Sequence, residues 1–247
     1  MNIVRVTAGL LMLVFASSGL AQKDQLLSEE QILQIITSLQ ERYTEINGYT
    51  CTFYKQERID GEMNPRETIF MKFRKPFQLY MKWIEDPYQG RELLYKKGWN
   101  EEKVRVRQHS FPYLTVNVSP TGGLAMKGNR HPVTEAGLGN TIDIIVSDYQ
   151  RGQSRPADTV RYFDRGTDTL YDEKVRCIEA VMPKDPESGY YSHRALICIS
   201  KKTNLPVQVK IWDATNTLVE NYGYANIQMN PGLTNEDFFP ENPENKF

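Results

Sequence analysis

The stretch from Ile69 to Tyr95 constrains the fold of this chain more than any other part of its sequence. A row of apolar side chains occupies its odd-numbered positions and is interrupted by Lys75. The row consists of Ile69, Met71, Phe73, Phe77, Leu79, Met81 and Trp83. A period of two predicts β-strands with one face in a core and the other in water. Because proline breaks a central ladder, Lys75-Pro76 marks a turn or an edge between two strands that share one inward face.

Two interpretations of this apolar row stay open at the level of sequence. The row can be ordinary sheet core, which large apolar side chains fill. It can also line an apolar cavity, because methionine and aromatic side chains form adaptable binding surfaces. In the second case a ligand would contact Phe73, Phe77, Leu79, Met81 and Trp83.

The N-terminal residues have the pattern of a secretory signal peptide. Arg5 precedes a mostly apolar run from Val6 to Ala16, and small residues follow up to Ala21. The run is too short to anchor the chain in a bilayer, and no cysteine follows the expected cleavage site. The sequence therefore predicts a signal peptide at residues 1–21, a single domain at residues 22–247, and an exported protein without a lipid anchor.

The charge and the cysteines limit the classes of partner and of covalent bond. The formal net charge is −1, with acidic and basic residues mixed throughout, so the chain lacks the basic footprint of a nucleic-acid-binding protein. Export permits disulfide bonds. Cys177 and Cys198 would face each other across a hairpin centred on residues 187 and 188. They form either a disulfide, which leaves Cys51 unpaired, or two buried thiols.

Capping residues and periodicity define the first helix. Ser28 and Gln31 form a capping box, and apolar residues recur at helical spacing from Ile32 to Ile46. Asn47-Gly48 would end this helix. Short segments with strand-like alternation, separated by turn residues, occupy most of the remaining chain. The residues alone therefore predict many antiparallel strands with two or three helices.

Residues 121–140 interrupt the strand pattern as a long, glycine-rich loop, and such loops often carry function. Asn140 would cap a short amphipathic helix that follows the loop. The acidic residues Asp164, Asp168 and Asp172 recur around a glycine and are expected in turns. The tail from Asn242 onward is expected to fray.

No catalytic constellation is visible in the sequence. The three histidines do not form a two-histidine zinc motif, and a nucleophile elbow and a Cys-x-x-Cys motif are both absent. The sequence therefore predicts neither an enzyme nor a cofactor or metal. One polar cluster consists of Lys127, Asn129, Arg130, His131 and Glu135, in which Arg130 and Lys127 can bind an anionic headgroup. Alternatively the cluster lies in a loop whose side chains satisfy backbone groups.

Several of these segments together resemble the LolA-like periplasmic carriers. In that family a signal peptide and a helix precede a strand of the type aromatic-x-small-x-Phe-x-x-Gln. The matching residues here are Tyr49, Cys51, Phe53 and Gln56. A strand that ends in a basic residue and proline follows, as at Lys75-Pro76, and then an aromatic strand. The C-terminal matches are Leu205-Pro206, Phe238 and Pro240.

A closer resemblance is to an exported bacterial family known as domain of unknown function 1571. Three segments carry it: Met71 to Tyr95, Ala125 to Pro132, and Gly137 to Asn140. The run Lys-Gly-Asn-Arg-His-Pro at residues 127–132 is specific to that family but names no activity.

The resemblance implies an α+β fold with a strongly curved antiparallel sheet. This sheet would form an incomplete β-barrel with an N-terminal helix and a lid helix, and its concave face would hold acyl chains. In the LolA-like carriers an arginine before the proline points into the cavity and holds the lid shut. Lys75 matches that position, although a lysine cannot form the forked bonds of an arginine.

The main hypothesis is an exported, non-catalytic binding protein that carries an amphiphile. Its partners would be a lipid or an acylated protein and membrane-associated envelope proteins, and we expect a monomer. The predicted ligand-binding residues are Phe73, Lys75, Phe77, Leu79, Met81, Trp83 and Arg130. One alternative is an envelope sensor or protein-interaction module with a solid core. Another is an enzyme that uses His131, which has no visible partner base or nucleophile.

Overall fold

Antiparallel strands make up most of the backbone. The structure, a computed structural model, describes residues 25–155 and 159–247. The predicted signal peptide therefore lies outside the described residues. The strands are β1 Gln25–Leu26, β2 Gly48–Ile59, β3 Glu62–Met63, β4 Glu67–Arg74, β5 Gln78–Trp83, β6 Glu92–Lys96, β7 Val104–Arg107, β8 Thr115–Val118, β9 Arg161–Leu170, β10 Glu173–Val181, β11 Arg194–Ser200, β12 Pro206–Trp212 and β13 Leu218–Met229.

Three α-helices and four short 3-10 helices connect these strands in the described chain. The α-helices are α1 Glu29–Thr44, α2 Gly123–Met126 and α3 Leu138–Ser154. The 3-10 helices are Asn100–Glu102, Val133–Glu135, Pro186–Ser188 and Glu236–Phe238. Within the two described ranges, no helix has both the length and the apolar character needed to span a membrane.

The described strands form one sheet in the order β1-β9-β10-β11-β12-β13-β2-β4-β5-β6-β7-β8, and β3 pairs only with β2. Neighbouring strands are antiparallel. The last strand, β13, pairs with β2 and so joins the C-terminal half of the sheet to the N-terminal half. The two ends of this order, β1 and β8, do not pair with each other among the described residues, so the sheet stays open.

Side chains from nearly all strands of the sheet converge on one interior, which shows that the sheet is curved. Strands as far apart in the order as β10 and β8 line the same cavity, and α1 and α3 cover it. The predicted fold class is therefore confirmed. It is an α+β fold with a strongly curved, open antiparallel sheet, an N-terminal helix and a second helix across its concave face.

The apolar row of the sequence faces the interior as predicted. Ile69 pairs with Trp83 and Met71 pairs with Met81 across β4 and β5. All the odd-numbered members of the row belong to, or pack against, one apolar cluster that also includes Tyr49. Parity therefore placed both strands correctly, and Lys75-Pro76 forms the turn between them.

The opposite face of these strands is buried as well, which the alternation did not predict. Tyr80 is buried with Phe238, and its ring meets that of Phe247 at 6.4 Å. Lys72 is also buried, and its Nζ lies 3.0 Å from a carboxylate oxygen of Glu244. A cover of C-terminal residues thus replaces water on this face.

The expected fraying from Asn242 onward is wrong for the same reason. The backbone N–H of Lys246 donates to Glu92 Oε2 over 2.9 Å, and Asn245 is buried. The tail is fixed because it covers a sheet face that carries apolar side chains, which gain free energy when water leaves them.

Helix α1 begins as predicted and ends earlier. Ser28 is its N-cap, and both hydrogen bonds of the capping box with Gln31 are present. The helix ends at Thr44, whereas Gly48 already belongs to β2. Gly48 is needed for close packing of strands, because a Cβ atom there would lie 2.7 Å from the carbonyl oxygen of Phe73.

Helix α3 is longer than expected and begins before Asn140. Its N-cap is Gly137, and it extends from Leu138 to Ser154. The predicted apolar face is correct, since Ile142 and Tyr149 are buried against α1 and the sheet.

The expectation that the acidic residues around Gly166 lie in turns is wrong for two of them. Asp164 and Asp168 belong to β9, and the turn to β10 lies at Tyr171 and Asp172. Asp164 instead pairs with Arg176 on the neighbouring strand at 2.8 Å.

The cysteines settle the alternative that the sequence left open. Cys177 and Cys198 are directly opposite in the β10–β11 pair and form a disulfide, while Cys51 is free and buried. Ile178 and Ala180 line the cavity from the same strand as Cys177. By alternation, the disulfide therefore lies on the sheet face that points away from the cavity.

Reduction of this disulfide should lower the stability of the folded protein. The bond closes a loop of 21 residues. We expect a loss of about 3 kcal/mol in the free energy of unfolding, since the unfolded chain regains the entropy of that loop. Urea unfolding with and without a thiol reductant measures this. A Cys177→Ala/Cys198→Ala variant is the control and should show no response to reductant. An unchanged midpoint for the reduced wild-type chain would contradict the prediction.

Candidate functional site

A cavity of about 480 Å³ lies between the concave face of the sheet and the two long helices. Isoleucines of α1 and α3 form its roof, among them Ile35, Ile36 and Ile145. Strand residues of both halves of the sheet form its walls, and most of them are aliphatic. The exposed side chain of Leu124 also lines the cavity, so solvent reaches the interior beside α2.

The predicted site residues divide between the packed core and the cavity. Met81 and Trp83 line the cavity, together with Ile69. Leu79 is completely buried beside Met71 in the solid core. The apolar row thus borders the cavity at one end of these two strands and forms solid core further along them.

Phe73, Lys75 and Phe77 line a second cleft at the other end of these strands. Tyr43 and Asp143, from the two long helices, form the facing side of this cleft. The structure therefore does not bring all the predicted residues into one site.

Lys75 contacts the end of α1. Its Nζ donates to the carbonyl oxygen of Tyr43 over 2.7 Å and lies 4.1 Å from the centre of the Tyr43 ring. A cation is stabilised at the carbonyl end of a helix. Burial lowers the pKa of the Lys75 ammonium group. The residue thus fastens the last turn of α1 to the β4–β5 turn.

Arg130 lies outside the cavity lining and belongs to an ion-paired cluster. Residues 121–137, here called the cavity loop, cross the sheet between β8 and α3. Arg130 Nε donates to Glu220 Oε1 over 2.8 Å, and the Arg130 backbone N–H donates to Glu57 Oε2 over 2.9 Å. Lys55 Nζ donates to Asn129 Oδ1 over 2.8 Å. Side chains of the sheet therefore hold the cavity loop in place.

His131 completes this attachment of the loop. Its Nε2 lies 3.0 Å from Glu220 Oε1, and its Nδ1 lies 3.2 Å from Glu135. The hydroxyl of Tyr191 donates to Glu220 Oε2 over 2.8 Å. His131 is therefore one of the residues that attach the cavity loop to the sheet.

Buried carboxylates explain why the loop carries basic residues. Glu57 and Glu220 are 2% and 1% exposed, and a buried carboxylate is stable only with charged or hydrogen-bonding partners. Burial alone would raise the pKa of the Glu220 carboxyl, but the hydrogen bonds from His131, Arg130 and Tyr191 lower it below 4.5. The hydrogen bond to Glu220 raises the pKa of the His131 imidazole.

The glycines that flank Leu138 let α3 pack closely on two tyrosines. The backbone N–H of Leu138 donates to the Tyr49 hydroxyl over 3.0 Å. A Cβ atom at Gly137 would lie 2.8 Å from that hydroxyl oxygen, and one at Gly139 would lie 2.5 Å from the hydroxyl of Tyr43. This close approach accounts for the glycines of the motif at residues 137–140.

Sequence reasoning missed the charged residues that face the cavity. Lys55 and Glu57 line it and share the parity of Phe53, so alternation along β2 could have found them. Arg91 lines it from the wall that Leu93 continues, again at the same parity. A charged residue at an inward-facing strand position is the sequence pattern that would have identified these residues. In the described chain, no group of His, Cys, Asp or Glu side chains is arranged to hold a metal ion.

The fold and the cavity together define a class of protein in which helices cover the concave face of an open, curved antiparallel sheet. Residues 46–247 match the model of a family described as "Protein of unknown function (DUF1571)", and the chain belongs to this family. The predicted membership is thus confirmed. No curated protein matches the chain in sequence.

Several solved structures are similar to the chain at low sequence identity. Lipoprotein LppX of Mycobacterium tuberculosis is 12% identical over 84% of this chain and 99% of that one, with a TM-score of 0.49. A LolA superfamily protein of Nitrosomonas europaea is 10% identical over 84% and 97%, with a TM-score of 0.35. A chain of the Pseudomonas aeruginosa MucA/MucB complex is 12% identical over 84% and 60%, with a TM-score of 0.45. At these scores the likenesses carry no conclusion about what this chain binds.

Alanine at position 137 should loosen α3. Gly137 has a φ of +107° and no room for a Cβ atom. We expect Gly137→Ala to lower the free energy of unfolding by about 2–4 kcal/mol, from backbone strain and overpacking together. Gly128→Ala is the matched control, because Gly128 also has a positive φ but nothing within 4 Å of a Cβ atom. Equal losses for the two variants in urea unfolding would show that the contact with Tyr49 is unimportant.

Stability should fall with rising pH through the contact of His131 with Glu220. The pKa of His131 is raised in the folded chain above the ordinary value of 6.5. The stabilisation is therefore complete below that value and is lost as pH rises through the folded pKa. The difference in free energy of unfolding between wild type and His131→Asn should shrink by on the order of 1 kcal/mol between about pH 5.5 and about pH 9.

The control for this titration is the same substitution in a Glu220→Gln background, which removes the carboxylate that His131 contacts. The difference that His131→Asn makes there should depend much less on pH. A pH-independent difference for His131→Asn in the wild-type background would contradict the predicted charge pairing.

Proposed function

We propose that the mature chain, residues 22–247, is a periplasmic binding protein that carries an amphiphile with at least one acyl chain. The chain would act as a monomer and without catalysis. The single observation that supports this most strongly is the apolar cavity of about 480 Å³ beneath α1 and α3. Sites for small organic ligands have volumes of roughly 300–1,000 Å³ and apolar linings with a few polar groups.

The free energy of transferring an acyl chain from water into such a cavity is large enough for a carrier to bind it. Each methylene group that leaves water contributes about 0.8 kcal/mol. Ten buried methylenes would supply roughly 8 kcal/mol, which corresponds to a dissociation constant near 1 μM before the cost of ordering is subtracted. A ligand held at this strength can be both retained and released.

A cover made of helices suits entry and exit of a long apolar ligand. The roof residues of α1 and α3 contact the strands through side chains, while the strands pair through backbone hydrogen bonds. A movement of the helices would therefore expose the cavity without breaking the ladder of the sheet. Lys75 would restrain this movement at the end of α1, through its bond to Tyr43.

The ligand is best sought on the protein itself. The mature chain would be purified from an envelope fraction and measured by native mass spectrometry, and organic extraction would identify whatever accompanies it. A stoichiometric lipid or acylated peptide is the expected result. A bare protein mass that takes up no added lipid would overturn the proposal.

Filling the cavity should reduce uptake of an acyl chain. Leu93 is half-buried and lines the cavity wall, so an indole at this position would occupy ligand space. We expect Leu93→Trp to weaken binding of palmitate at least about tenfold, which is the loss of roughly two methylene contacts. Isothermal titration measures the affinity.

Leu33→Trp is the matched control for this prediction. Leu33 is exposed on α1 and lies outside the cavity lining, so the same substitution there should leave the affinity unchanged. Equal affinities for wild type, Leu93→Trp and Leu33→Trp would place the palmitate outside the cavity.

A protein-interaction or sensor role is the second candidate, and exposed apolar side chains favour it. Phe111 is 86% exposed and Leu124 is 81% exposed, on the connection between β7 and β8 and on α2. β8 is the last strand in the order of the described sheet, and an end strand can pair with an added strand. Binding of an extended peptide that Phe111→Ser abolishes, with no lipid uptake, would favour this role.

A further inference from the structure

A cationic side chain lies in the apolar wall of the cavity. Arg91 lines the cavity together with Trp83 and Leu93. The backbone carbonyl of Arg91 accepts from the N–H of Trp83 over 3.0 Å, which fixes the residue beside β5. A charged group in such a wall is expensive unless a partner compensates it.

Two aromatic rings contact the Arg91 guanidinium. Its central carbon lies 4.0 Å from the centre of the Tyr88 ring and 5.4 Å from that of Trp83. Such contacts attract the cation without providing a carboxylate partner. The rings therefore restrict the movement of the guanidinium before any ligand binds.

One donor of this guanidinium has no acceptor in the described part of the chain. It is Arg91 Nε, which is buried. Within residues 25–155 and 159–247, no carboxylate lies at ion-pair distance from the group. Burial lowers the pKa of Arg91, and the more distant Glu67 carboxylate opposes this shift.

The neighbouring carboxylates are already compensated by other groups. Glu67 accepts from Lys55 Nζ over 3.0 Å and from the indole N–H of Trp83. Glu57 lies 3.2 Å from Lys55 Nζ, and Glu220 lies 2.8 Å from Arg130 Nε. Arg91 is thus a half-buried cation in the cavity wall, and these acids form no direct ion pair with it in the described chain.

We propose that Arg91 binds the anionic head of the carried amphiphile, a carboxylate or a phosphate whose oxygens accept from the guanidinium edge while the acyl chain fills the apolar cavity. This assignment rests on the proposed function and specifies the class of its ligand. An arginine fork matches the oxygens of both headgroups, and a water-excluding wall strengthens each hydrogen bond. A neutral lipid would leave the buried donor unused.

Three ligands with the same C16 chain and different heads test this assignment. The probes are palmitate, hexadecyl phosphate and hexadecanol, titrated into the mature protein. We expect the wild-type chain to bind at least one anionic probe about tenfold to a hundredfold more tightly than hexadecanol, from charge-assisted hydrogen bonds. A preference for palmitate or for hexadecyl phosphate tells which headgroup the site takes.

Two variants locate this preference on the molecule. Arg91→Met keeps an unbranched side chain and should still bind hexadecanol but lose the preference for anions. Arg105→Met is the matched control, because Arg105 lies between the cavity-lining residues Val104 and Val106 and has the opposite parity. It should keep the preference.

The outcomes separate the two proposals. Equal binding of all three probes by wild type, or an anion preference that survives in Arg91→Met, would overturn the assignment of Arg91 and leave the carrier function standing. Failure of wild type to bind any of the three probes would overturn the carrier function and the assignment with it. Binding of hexadecanol by Arg91→Met also shows that this variant folds.

Discussion

The pairing of β13 with β2 is the contact on which the rest of the structure depends. It joins strands that are far apart in the chain, from Tyr49 opposite Met229 to Glu57 opposite Glu220. Without it the N-terminal and C-terminal halves would be two separate meanders. With it, apolar faces from both halves point into one concave space that α1 and α3 cover. The cavity is therefore a product of long-range pairing and not of any local segment.

The same pairing brings two buried carboxylates together, and the cavity loop supplies groups that compensate their charge. Glu57 and Glu220 are opposite each other in neighbouring strands, and both are buried. Two close carboxylates without partners would repel each other in a medium of low dielectric constant. Arg130 and His131 bring the compensating groups, and their binding fixes the loop beside the cavity. The polar run of residues 127–132 thus has a structural explanation independent of any ligand.

The sequence predicted the parts of the fold that depend on local pattern. Capping residues located the start of α1, and parity placed the inward face of β4 and β5 correctly. Local pattern failed where distant segments intervene, because the C-terminal tail covers Tyr80 and the Tyr49 hydroxyl accepts from the backbone N–H of Leu138. The same limit applies to the cavity, since alternation shows that Met81 and Leu79 face inward but not that only Met81 borders empty space. That difference depends on the distance between the helices and the sheet. The alternation within a strand carries no information about this distance.

Because the edge of the sheet is open, the shape of the cavity can change while the pairing of the strands stays the same. A closed barrel fixes its interior through strand number and stagger, so a change of size requires a new set of backbone hydrogen bonds. Here the volume depends on isoleucines of α1 and α3, which touch the sheet only through side chains. Substitution of these residues can lengthen or shorten the space while the ladder stays intact. Two helices therefore set the size of the interior, and the hydrogen-bond pattern of the sheet does not.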